Sequence, residues 1–107
     1  MKKCKITVMK KTEYPELSEQ YEQPMEHPCD MEVGQTFIAD GLKKPEGFCE
    51  SAWESLYPFV MTLASGGSEI YGDWMKNKTS AMVSCNDGFR PVSFYVEALE
   101  EEAEEEN

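Results

Sequence analysis

A chain of 107 residues has room for one domain built around one core. Its content of 40% hydrophobic and 11% aromatic residues is enough to fold, which argues against global disorder. Twenty-one acidic residues against ten basic ones give a net charge of -11, and such a surface repels both nucleic-acid phosphates and anionic membranes, so neither partner is expected.

Residues 3–11 alternate. Cys4, Ile6 and Val8 share one face and Lys3, Lys5 and Thr7 the other, the pattern of a half-buried strand. Residues 15–22 then offer one or two helical turns, with Pro15 at the first helical position. A loop through His27, Pro28 and Cys29 leads to a short strand in GQTFIADG, bracketed by glycines.

Residues 49–65 carry the clearest helix. Trp53, Leu56, Val60 and Leu63 recur at helical spacing, and Gly66-Gly67 supplies the stop. Ser51 and Glu54 have the form of a capping box, while Cys49 is the competing cap. Pro58 removes a backbone donor midway, which predicts a kink or two short helices end to end. After a loop containing Trp74, residues 80–85 and 91–99 read as a hairpin, joined through Asn86-Asp87-Gly88, which tolerates the positive φ of a tight turn. Seven glutamates between Glu97 and Glu106 then close the chain, and residues 100–107 read as a frayed acidic tail. The expected fold is α+β over residues 1–99: a small, mostly antiparallel sheet of about four strands, one kinked helix packed on it, and a short second helix.

No apolar run approaches the roughly 18 residues of a membrane span, and the basic start alternates instead of carrying an apolar signal segment. The expected compartment is the cytoplasm, and the four cysteines, with no C-x-x-C pair among them, are expected as thiols.

The blocks KKCKITVMKK, GQTFIADG, KPEGFCESAW, DWMK and CNDGFRPVSF, in this order, resemble a family of short proteins of anaerobic bacteria and archaea with no assigned activity. The resemblance covers residues 2–96 and leaves out the glutamate tail. It implies a reducing cytoplasm and makes metal or redox chemistry more plausible. Family members often carry two adjacent cysteines before the Asp-Gly, where this chain has Ser84-Cys85.

Three constellations carry candidate chemistry. Cys4, Cys29, Cys49 and Cys85, with His27, form a conceivable zinc or iron–sulfur ligand set, since such centres need several thiolates or imidazoles on one point. The plainer reading makes Cys4 and Cys85 small hydrophobes on apolar strand faces. Cys49 at a helix N-terminus is a candidate reactive thiol or ligand, with His27 as a conceivable base. Arg90, the only arginine, lies beside Asp87 and either contacts a small anionic ligand or pins its loop by pairing with an acid. Trp74 and Phe89, aromatics in loops, suit a pocket wall or a self-association surface.

The sequence therefore points to a small binding or accessory module, expected to form homo-oligomers. Its ligand site is expected between residues 45–49, the helix start and residues 86–90, with Arg90, Asp87, Trp74 and Cys49 in it. The alternatives are a thiol- or metal-dependent redox enzyme and a structural interaction module.

Overall fold

A computed structural model of the chain describes residues 1–24 and 29–104. The elements run β1 (Lys2–Lys11), α1 (Pro15–Tyr21), β2 (Thr36–Asp40), α2 (Glu50–Ala64), β3 (Ser80–Ser84) and β4 (Val92–Glu102). The four strands form one sheet in the order β2-β1-β4-β3, antiparallel throughout. The fold is α+β, with α2 packed against β1, β3 and β4.

Alternation decides which face is buried. Cys4, Ile6 and Val8 of β1, Ala81 and Val83 of β3, and Val92, Phe94 and Val96 of β4 all point to the helix side and are buried. The helix answers with Ala52, Leu56, Val60 and Leu63, each buried and spaced three or four apart. Burying a side chain of this size contributes about 1.5–3 kcal/mol. Trp53, expected on this seam, is offset from it and stands edge-on to Phe48 and Tyr57, with centroids at 6.1 and 5.7 Å. Phe48, just before the helix, is the piece that closes this end of the core: it packs 5.4 Å from Phe94 and 4.9 Å from Phe37.

Three features differ from the sequence expectations. First, α2 continues as one helix through Pro58, so the two-helix alternative does not apply. Pro58 lies on the exposed side, where the Thr62 hydroxyl donates to its carbonyl at 3.0 Å. Second, the β3–β4 connection is not a tight turn built on left-handed residues. It spans residues 85–91, and positive φ falls on none of Asn86, Asp87 and Gly88. A longer loop can reverse direction without left-handed residues, and Asp87 organises it instead, its Oδ1 accepting the N–H groups of Phe89 (2.8 Å) and Arg90 (3.2 Å). Third, the acidic tail does not begin at Glu100. Strand β4 runs on to Glu102, paired with Lys2, because basic side chains of β1 lie opposite: Lys3 Nζ is 2.7 Å from Glu101 and Lys2 Nζ 3.9 Å from Glu100. Residues 105–107 lie outside the described residues.

The first helix buries no residue of its own. It is tied to the domain from outside. The Tyr14 N–H donates to the Phe89 carbonyl at 2.9 Å, and the Thr12 N–H donates to the Pro91 carbonyl at 2.9 Å. Among the described residues, no helix is long and apolar enough to cross a membrane.

Candidate functional site

At the end of the sheet beneath the start of α2 lies a cavity of about 70 Å³. Three of the four cysteines line it: Cys29, Cys49 and Cys85, from segments 20 and 36 residues apart. Met31, Val92, Phe94 and Ala52 supply apolar wall, and Ser51, Asp87 and Arg90 supply the polar part. The concavity lies between Cys49 with the start of α2 and the 85–92 segment, and Cys29 joins it from a third segment.

Cys49 is the N-cap residue of α2. Its sulfur lies 3.3 Å from the Ser51 hydroxyl. Burial is the largest single influence on this thiol and pushes it up, yet the Ser51 hydroxyl and the N–H groups of Ala52 and Ser51 outweigh it, and the net direction is down. The Asp30 charge works against them. The capping-box reading of Ser51 and Glu54 is thus displaced: the helix starts one residue after Cys49, and Ser51 serves the sulfur.

Cys85 follows β3 and continues its ladder. Its N–H donates to the Val92 carbonyl at 2.9 Å, and the Val92 N–H donates back to Cys85 Sγ at 3.2 Å. The alternation that buries Val83 carries Cys85 to the same side of the sheet, which is why it faces the cavity. Cys29 lies in the long connection between α1 and β2, where its carbonyl accepts from Lys11 Nζ at 3.2 Å. It also borders a more open depression of about 210 Å³ with Lys11, Thr12, Glu13 and Arg90.

Cys4 is elsewhere. It is fully buried in β1 among core side chains, and burial pushes its thiol up to about 11. All four cysteines among the described residues are thiols, not disulfides. No group of three or more His, Cys, Asp or Glu among the described residues could hold a metal ion, so the zinc or iron–sulfur ligand set drawn from Cys4, Cys29, Cys49 and Cys85 is not assembled there. His27, the remaining member of that set and the conceivable base for Cys49, lies outside the described residues.

Arg90 lines the cavity, but its fork is engaged by Glu22 at the end of α1, with Nη1 2.9 Å from Oε2 and Nη2 2.9 Å from Oε1. The hydrogen bond from Arg90 holds the Glu22 carboxyl below its ordinary range and raises the guanidinium in turn. Of the two sequence readings, pinning the loop is the one this geometry fits. Asp87, a candidate ligand-site residue beside Arg90, spends one carboxylate oxygen on the backbone of the loop.

Trp74 does not line the cavity. It packs with Phe59 and Tyr71 at centroid distances of 6.4 and 5.1 Å, in a cluster against the C-terminal half of α2 where Trp74 and Tyr71 are exposed. Cys29, grouped with Cys49 and Cys85 from sequence only as a conceivable metal ligand, lines the same cavity, although no local motif links the three. No protein-family model matches the chain, and no curated protein and no solved structure shows significant similarity to it.

Proposed function

We propose that this protein is a small cytoplasmic binding module whose working site is the thiol-lined cavity, with Cys49 as the thiol that engages the ligand. The observation that carries the reading is the arrival of Cys29, Cys49 and Cys85, from three separate segments, around one concavity of about 70 Å³. A cavity of that size has room for a few water molecules, so the group it takes is a short chain or a small head, not a folded partner. Its chemistry is soft and apolar: sulfur and hydrocarbon make most of the wall. Arg90 is committed to Glu22, which favours a neutral or cationic ligand over the small anion considered from sequence. The family resemblance of the ordered sequence blocks implies a reducing cytoplasm, in which such thiols stay available.

The test is the relative reactivity of the cysteines. Brief treatment with iodoacetamide at pH 7, followed by peptide mapping, should label Cys49 first and leave Cys4 unlabelled. Equal and ordinary labelling of Cys29, Cys49 and Cys85 rejects the site.

Self-association is a second reading, resting on a different surface. The Phe59–Tyr71–Trp74 cluster leaves Tyr71 75% and Trp74 41% exposed, an apolar surface suited to a second copy. Light scattering on the protein and on Trp74→Ser decides it: a dimeric mass reduced by the substitution supports the surface, and a monomeric mass for both removes it.

A further inference from the structure

We propose that Cys49 and Cys85 work as a dithiol–disulfide pair that exchanges with neutral or cationic low-molecular-weight disulfides, an inference that rests on the thiol-lined cavity being the working site. The two cysteines stand on two well-defined elements and line the same cavity. One belongs to the cap of a 15-residue helix, and the other to the rung that extends the β3–β4 ladder. Cys49 is partly exposed and so can be reached by a small molecule. It also has the Ser51 hydroxyl within 3.3 Å to steady a negative sulfur. Cys85 is held at the wall by the Val92 N–H, within the same concavity, where it can meet an adduct on Cys49.

The chemistry is a two-step exchange. The Cys49 thiolate attacks one sulfur of a disulfide RSSR; the Cys49–S bond forms, the S–S bond breaks, and RS⁻ leaves and takes a proton from water. Cys85, giving its proton to water, then attacks the Cys49 sulfur, forms the Cys49–Cys85 bond and expels the second RS⁻. The protein sulfurs lose two electrons and RSSR gains two, yielding two RSH; excess RSH drives the reverse. Closure requires the two Cβ atoms to approach to about 4 Å.

Charge selects the substrate. The carboxylates near Cys49 are Asp30, Glu50 and Asp87; Glu50 is paired with Lys44 at 3.0 Å and the lone arginine with Glu22, and the whole chain carries -11. An anionic disulfide is repelled by this field, and a cationic one is drawn in.

The reduced protein is incubated with cystamine at pH 7.5, quenched with acid and digested without reductant for mass spectrometry. The expected product is a peptide linking Cys49 to Cys85, with two equivalents of cysteamine released. Oxidised glutathione should react at least several-fold more slowly. Cys85→Ser, checked for an unchanged thermal transition, should stop at a mixed disulfide on Cys49 with one equivalent released, while Cys29→Ser should still close. Wild-type protein that stops at the mixed disulfide, or that links Cys49 to Cys29, overturns the pair but leaves the thiol site standing. Protein in which Cys49 is not the residue attacked overturns both.

Discussion

Arg90 meets Glu22 fork to carboxylate, with both nitrogen–oxygen distances at 2.9 Å, across 68 residues of sequence. The pair joins the end of α1 to the 85–91 loop that borders the thiol cavity, and it does so for a helix that buries nothing of its own. An arginine placed this way is a strut.

That role has a pH signature. Because Arg90 lowers the Glu22 carboxyl, the pair contributes stability that is present above the ordinary carboxylate range, near 4.3 for glutamate, and is lost as pH falls through the lower folded value. Glu22→Gln should melt at a lower temperature than the parent at pH 7, and the gap should be smaller at pH 3. Arg90→Lys should lose part of the same stability, since a lysine cannot form the paired contact. Thermal melts of the three proteins at the two pH values check this, and a gap that does not shrink in acid contradicts it.

Cys49 should react with iodoacetamide along a pH profile whose midpoint lies below the ordinary thiol value near 9, because its net shift is downward. Ser51→Ala removes the hydroxyl 3.3 Å from the sulfur and should move that midpoint upward. At pH 7 the substituted protein should label at Cys49 about two- to five-fold more slowly, as expected for losing one hydrogen bond to a thiolate. An unchanged midpoint would remove Ser51 from the site.

Cys4 should behave in the opposite way. It should resist alkylation in the folded protein and titrate only near 11. Its folded value lies above its ordinary value near 9, so the folded state holds a proton that the unfolded state releases, and stability falls as pH rises from about 9 to about 11. The loss attributable to Cys4 is of order 2–3 kcal/mol. Urea unfolding at pH 7.5 and pH 10.5 should show a fall that is smaller by about 2 kcal/mol in Cys4→Val, which stays apolar and removes the titration.

Pro58→Ala should raise stability. Proline in a helix interior is disfavoured by about 3 kcal/mol against alanine, less the 0.4–1 kcal/mol by which proline restrains the unfolded chain. Because Pro58 sits on the exposed side, a helix already shaped around it should recover only part, on the order of 1 kcal/mol. A higher melting temperature with unchanged cysteine reactivity is the expected result. A lower one would mean that the proline shapes the helix to fit the sheet.

What the sequence determined by itself was what period and local chemistry control. Alternation in residues 3–8 and 81–96 placed Cys4, Val83, Cys85 and Phe94 on the buried face, since a strand side chain has only two directions to choose from. Helical spacing located α2, and the fold class followed from the order of elements. The tertiary structure decided what depends on contacts between distant segments. The acidic run became strand because Lys2 and Lys3 lie across from it, Trp74 went to the C-terminal half of α2, and Arg90 found Glu22. It was also packing, not spacing, that set Cys29 beside Cys49 and Cys85. A cavity wall is assembled from whatever the chain brings to one place in three dimensions, and no local pattern of residues records that meeting.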